Sequence, residues 1–202
     1  MPLNLVFATN NDHKLREARE ILGNHCHILS LKEIGCTEDL PETSSTLEGN
    51  ALQKGRRVAE KFGCDCFADD TGLEVEALGG APGVNSARYA SSNGAGDSHD
   101  SDANMRLLLH NLQGAATRKA RFRTAIALIR GGRETILEGV VNGHITETPA
   151  GIDGFGYDPI FQPEESQLTF AQMSSDEKNA ISHRGRALRA LLRHIEDTDQ
   201  QQ

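Results

Sequence analysis

Tryptophan is absent from this 202-residue chain, and aromatics are scarce, with 7 Phe and 2 Tyr. Long apolar runs are missing too. None approaches the roughly 18 residues a membrane span needs, and the opening Met1-Pro2-Leu3-Asn4 lacks the basic and apolar stretches of a signal peptide. A cytoplasmic protein with no membrane association is expected. The 4 cysteines, at 26, 36, 64 and 66, have neither the density of a disulfide scaffold nor the C-x-x-C spacing of a zinc knuckle, and read as reduced core thiols. Positive charge is in deficit: 21 basic residues face 29 acidic ones, for a net charge of −8. Affinity for a phosphate backbone comes from clustered Lys and Arg, so a general nucleic-acid binder is disfavoured and an anionic ligand would need a local basic pocket. No Walker A sequence occurs, which excludes a P-loop nucleotidase.

What remains is ordinary globular material, 37% apolar and 25% charged, enough for one domain or two lobes sharing a sheet. Leu3 to Ala8 reads as a buried strand, followed by a turn and by a helix carrying Leu15, Ala18, Ile21 and Leu22 at helical spacing. Ser45-x-x-Glu48 reads as a capping box opening a second helix, with Leu47, Ala51, Gly55 and Val58 on one stripe and Lys54, Arg57 and Lys61 on the other face. Cys64 to Ala68 reads as a buried strand that ends at Asp69-Asp70-Thr71-Gly72. Ser91 to Ser101 is a polar, Gly-containing loop, and a helix follows between Asp102 and Gly114. Two alternating runs around Gly131-Gly132 form a hairpin ending near Val141, and a last helix carries Ala187, Leu188, Leu191, Leu192 and Ile195. The expectation is an α/β domain of two lobes over residues 1–196 with a mixed sheet, and a frayed tail over 197–202.

Four stretches could carry chemistry. Thr9-Asn10-Asn11-Asp12-His13-Lys14 joins a strand to a helix start, where unpaired amides, the helix dipole and a lysine favour a phosphate; an ordinary N-cap with a solvated lysine reads the same residues blandly. Asp69 and Asp70 repel each other unless a cation neutralises them, and a hard divalent metal carrying substrate phosphates is one solution, a solvated acidic turn another. The aspartyl-phosphate pattern D-x-D-x-T fails, because position 71 is Thr. Gly154-Phe155-Gly156-Tyr157-Asp158-Pro159 could lay an aromatic against a base, or be a turn with core aromatics. Lys178 and Ser182-His183-Arg184-Gly185 set cations at a helix N-terminus, which is unfavourable unless an anion or electron-rich group sits there. A basic run, Arg118, Lys119, Arg121, Arg123, Arg130 and Arg133, leaves an RNA-binding module as a rival, and a nucleotide sensor without turnover is another.

In this order, the motifs resemble the inosine triphosphate pyrophosphatase family from about Leu5 to Leu192. They are Ala8-Thr9-Asn10-x-x-x-Lys14, Glu42-Thr43, Glu48-Gly49-Asn50-Ala51-x-x-Lys54, Ala68-Asp69-Asp70-Thr71-Gly72-Leu73, Leu78 to Tyr89 around Ser86-Ala87-Arg88, Gly154 to Phe161, and Lys178-x-x-x-Ser182-His183-Arg184-Gly185. The resemblance implies an elongated mixed sheet with flanking helices, two lobes around a central cleft and a homodimer. It implies hydrolysis of dITP, ITP and XTP to the monophosphate and pyrophosphate, which keeps deaminated purines out of DNA and RNA. Carried over by position, Thr9 to Lys14 and Lys54 bind polyphosphate, and Glu42 and Asp70 hold magnesium, with Asp69 a further candidate. Asp70 also accepts the proton of the attacking water. Thr71, Arg88, Phe155, Gly156, Tyr157, Asp158, Lys178, His183 and Arg184 contact the nucleotide. Preference for a 6-keto base needs a donor aimed at that oxygen, such as Arg184 or His183. Gly55 departs from the family's usual Ala, as does the stretch from Ser91 to Asp102.

Overall fold

The computed structural model describes residues 3–200. In chain order the strands are β1 (Leu3–Phe7), β2 (Cys26–Leu29), β3 (Cys66–Val75), β4 (Pro82–Gly83), β5 (Lys119–Arg130), β6 (Arg133–Ile145) and β7 (Phe161–Pro163). The helices are α1 (Asp12–Leu22), α2 (Leu47–Phe62), α3 (Tyr89–Ser92), α4 (Ser101–Asn111), α5 (Ser175–Ile181) and α6 (His183–Asp199). Strands pair in the order β2-β1-β3-β5-β6-β7, with β4 on β3. β1 is parallel to both β2 and β3, whereas β3 with β4 and β6 with β7 are antiparallel, so the sheet is mixed as expected. The β5–β6 hairpin turns at Gly131-Gly132, both at positive φ, the backbone that a tight hairpin turn demands. No helix among the described residues is long and apolar enough to cross a membrane.

The chain divides into two compact units. The first comprises residues 3–70, 124–139 and 183–200. Its core follows the period of two that a strand imposes. Leu5, Phe7 and Phe67 pack with Ala18 and Leu22 of α1 and Leu188 and Leu191 of α6, while Val6, Ala8, Cys66 and Ala68 pack with Val58 of α2 and with Ile129. α1 and α6 therefore cover one face and α2 the other. Gly55 now has a packing reason: a Cβ there would stand 3.1 Å from Ile129 Cδ1, so the missing methyl lets α2 lie close to β5. The second unit comprises Thr71–Arg123 and Val140–Ser182, with a core that includes Leu73, Tyr89, Leu108, Phe122, Phe161 and Phe170.

Four expectations are corrected. β3 does not stop before the acids but runs through them, because β1 and β5 pair on its two sides. The cap of α2 is Thr46, whose side chain accepts from the Gly49 amide, one residue later than the Ser45 box. Lys54 belongs to the buried face of α2 with Leu47, Asn50, Ala51 and Val58, while Arg57 and Lys61 face water and pair with Glu38. β6 continues to Ile145, past the expected end near Val141. Separately, Arg130 engages Asp199, the last residue of α6, at 2.6 Å; Gln201 and Gln202 of the expected tail lie outside the described residues, as do Met1 and Pro2. All four cysteines are free thiols, and burial pushes Cys66 up to about 12.

Candidate active site

β1 delivers its chain end to α1 through Thr9 and Asn10. Asn11 caps the helix: its side chain accepts from the amides of His13 and Lys14 at 3.0 and 3.1 Å, and its own amide donates to Thr9 Oγ1 at 3.1 Å. Asn10, Asp12 and His13 are exposed, whereas Lys14 turns inward and donates to Asp69 Oδ1 at 2.8 Å. The lysine is thus not the solvated residue of an ordinary cap.

Adjacent residues of a strand point to opposite faces, and this separates the two acids. Asp69, on the face of α1 and α6, is 1% exposed and accepts from Lys14 through Oδ1 and from Arg184 Nε through Oδ2 at 3.0 Å. Arg184 in turn donates to Glu17 Oε2 at 2.5 Å. Burial alone would raise Asp69, but the nearby charges of Lys14, Arg184 and Lys54 outweigh it and hold the carboxyl well below the usual range. The carboxylates of Asp69 and Glu17 satisfy the need for an anion at the start of α6.

Asp70 faces α2. Asn50 and Lys54 stand one helical turn apart there, which puts both over the same strand residue. Asn50 Nδ2 donates to Asp70 Oδ2 at 2.9 Å while its Oδ1 accepts from the Ser44 amide, and Lys54 Nζ lies 3.9 Å from Asp70 Oδ1 and 2.5 Å from Glu42 Oε1. Asp70 is raised above the ordinary carboxylate value, by burial first and with Glu42 adding to it, against Lys54, Lys14 and the Asn50 bond. A carboxylate that is buried and short of positive charge can still accept a cation.

In the second unit the Gly154 to Asp158 loop closes on its own acid. Asp158 Oδ2 accepts from the Phe155 amide and from Lys178 Nζ, both at 2.8 Å, and the Lys178 ammonium lies 4.8 Å from the centre of the Phe155 ring. Gly154 has φ +76°, and a Cβ there would run into the Asp158 side chain. Tyr157 is buried and donates its hydroxyl to Ser86 O at 2.8 Å, while Phe155 and Gly156 are half-buried. Thr71 and Arg88 are also half-buried, on β3 and at the end of the Ser86–Arg88 turn.

The Ham1 family model matches residues 5–194. The chain belongs to the Ham1 family. It is 50% identical over 190 residues to the dITP/XTP pyrophosphatase of Flavobacterium psychrophilum, covering 94% of this chain and 97% of that one. It is 53% identical over 188 residues to the dITP/XTP pyrophosphatase of Porphyromonas gingivalis, covering 93% and 94%. Among solved structures, a HAM1 protein from Coxiella burnetii superposes with a TM-score of 0.86 at 37% identity, over 96% of this chain and 99% of that one. The family resemblance and the mixed α/β fold read from the motifs both stand.

In this Ham1-family chain the expected residues form two groups. Lys14, Lys54, Glu42, Asp69, Asp70 and Arg184 come together in the first unit, where His183 is buried at the start of α6; Phe155, Asp158 and Lys178 come together in the second. Two partners escaped the sequence reading. Asn50 lies inside the Glu48-Gly49-Asn50-Ala51-x-x-Lys54 motif, and its spacing of four from Lys54 is the available signal. Glu17 lies three residues after Lys14 on the same helix, but nothing in the sequence tied it to position 184.

No group of three or more His, Cys, Asp or Glu side chains that could hold a metal by themselves occurs among the described residues. The donor set still fits magnesium, which commonly takes one or two carboxylates and completes its shell with substrate phosphates and water. Glu42 and Asp70 are such a pair, and Lys54 shows that both approach a single cation. The rival basic run is largely committed to the protein itself. Arg121 and Arg123 both bind Glu74, and Arg118 donates to the carbonyls of Ile145 and Thr146.

Proposed function

We propose that this chain hydrolyses dITP, ITP and XTP to the nucleoside monophosphate and pyrophosphate. The observation that carries the reading is the pair Asp70 and Glu42 meeting at Lys54, with Lys14 bound through Asp69 on the opposite face of the same strand. Acids beside a triphosphate repel it unless they bring a metal or act on the water, and binding alone would not require them. The names of the relatives, dITP/XTP pyrophosphatase, support the same substrate class.

Water attacks the α-phosphorus, the bond from that phosphorus to the bridging oxygen breaks, and pyrophosphate leaves. Asp70 orients the water and takes its proton. Asn50 fixes the rotamer in which it does so. Lys14 and Lys54 stabilise the charge that builds on phosphate oxygens. Glu42 and Asp70 would hold magnesium, whose charge would neutralise the polyphosphate and make the phosphorus more electrophilic. Asp69 is assigned to Lys14 and Arg184 rather than to the metal, because each of its oxygens already serves a cation.

Phe155, Gly156, Asp158, Lys178 and His183 are the residues assigned to the nucleotide's base and sugar, with Thr71 and Arg88 as further contacts. Tyr157 belongs to this group through its anchoring of the loop. A homodimer, which the family resemblance implies, and a cytoplasmic location complete the reading. The test is incubation with each nucleoside triphosphate and magnesium, with products separated by chromatography. Inosine or xanthosine monophosphate with pyrophosphate is expected. Orthophosphate as the first product, without any added pyrophosphatase, would overturn the assignment.

A further inference from the structure

Four charges alternate in sign through the first unit: Glu17, Arg184, Asp69, Lys14. The inner two are almost wholly buried, at 2% and 1% exposure, while the outer two keep side-chain exposures of 13% and 15%. One end is therefore Glu17 on α1, and the other is the ammonium assigned above to the phosphates.

The geometry of the middle link is informative. A guanidinium meeting a carboxylate favours two parallel hydrogen bonds, one to each oxygen. Arg184 meets Asp69 through Nε at Oδ2, and its Nη1 reaches the other way to Glu17. Oδ1 is thereby left to Lys14. Glu17 anchors the end of the guanidinium that does not touch Asp69, and without that anchor the buried group would shift on Asp69 and compete with Lys14 for Oδ1. Glu17 and Lys14 lie three residues apart on α1, so helix geometry fixes the spacing of the two ends.

We propose that Glu17 is a positioning residue for the phosphate site, acting through Arg184 and Asp69 to hold the Lys14 ammonium where a triphosphate meets it. This rests on the pyrophosphatase reading. Glu17 itself touches neither substrate nor the reacting atoms.

The test is a double-mutant cycle on the full chain, with ITP and magnesium for turnover and inorganic tripolyphosphate without metal for calorimetric binding. Glu17→Gln keeps the shape and removes the charge. It should lower kcat/KM and weaken tripolyphosphate binding by about ten- to a hundred-fold, the range for loss of a buried charge-assisted hydrogen bond. In a Lys14→Ala background the same substitution should cost less than three-fold, because the residue it acts on is gone. Glu17→Asp, which restores the charge, should recover part of both losses. Equal losses from Glu17→Gln with and without Lys14 would overturn the inference, as would unchanged tripolyphosphate binding. If Glu17→Gln fails to fold, comparing Glu17→Asp alone and with Lys14→Ala decides by the same criterion. A wild-type chain that releases no pyrophosphate from ITP would instead refute the underlying reading, and the tripolyphosphate cycle would still decide the role of Glu17.

Discussion

Asp69 and Asp70 are consecutive on β3, yet one is clamped between two cations and the other is buried with too little positive charge. The strand pleat produces this difference by sending one side chain toward α1 and α6 and its neighbour toward α2. Their effects on stability should therefore be opposite. Asp69→Asn leaves Lys14 and Arg184 without their shared counter-charge, and breaking a buried pair in this way costs about 3–5 kcal/mol. Asp70→Asn removes a carboxylate whose ionisation burial opposes, so the melting temperature should hold or rise. The signs with pH follow. Asp69 titrates lower in the folded chain, so its stabilisation is present above the unfolded value and is lost as pH falls through the folded one; Asp70 titrates higher, so its contribution is present at low pH and fades as pH rises. Thermal melts of the three proteins at neutral pH without magnesium check this. A wild-type melting temperature for Asp69→Asn would contradict it.

Activity should separate the two acids differently. Asp70→Asn keeps the Asn50 contact but removes charge and basicity, so turnover of ITP should fall by roughly 10²-fold or more. Near-normal turnover with an unchanged magnesium requirement would move both roles to Glu42.

The order of elements and the paired motifs were legible because periodicity and turn residues are local signals. Partnerships across the sheet were not. Local sequence groups Lys54 with the charged face of α2, whereas Asp70 and Glu42 draw it inward. The acids looked like a strand end because polar residues rarely continue a buried strand, and only the cations of α1, α2 and α6 make the continuation tolerable. The unfavourable cations at the start of α6 were a correct signal, since an anion was required there. That Asp69 and Glu17 supply it lies beyond local sequence, since donors and acceptors are 115 and 167 positions apart.

The base loop offers a test that leaves the phosphates alone. Asp158 holds both the Phe155 amide and Lys178, so Asp158→Asn should loosen the ring and the cation that lies over it. Loss of a charge-assisted contact of this kind predicts a rise in KM for ITP of about ten-fold. Inhibition by inorganic tripolyphosphate, which has no base, should not change. Equal weakening of both would mean that the loop acts on the phosphates.

Arg184 and His183 are neighbours in sequence, and the structure gives them separate surroundings. Arg184 is bound to Asp69 and Glu17, carboxylates tied to the phosphate group, and we propose that it acts through Lys14 rather than by donating to a 6-keto oxygen. Arg184→Lys keeps a charge but cannot bridge two carboxylates with the same fork, and ITP and ATP turnover should fall in parallel by about ten-fold or more. Both nucleotides carry the same triphosphate, so their ratio should stay where it was. His183→Ala should behave otherwise if the imidazole reads the base. A donor aimed at position 6 gains a bond with hypoxanthine and meets another donor in adenine, a difference of about 1–3 kcal/mol, so its loss should reduce the ITP preference by about ten- to a hundred-fold. Steady-state rates for both nucleotides, measured on both variants, distinguish the cases. A reduced ratio in Arg184→Lys with an unchanged one in His183→Ala would reverse the assignment of the two residues.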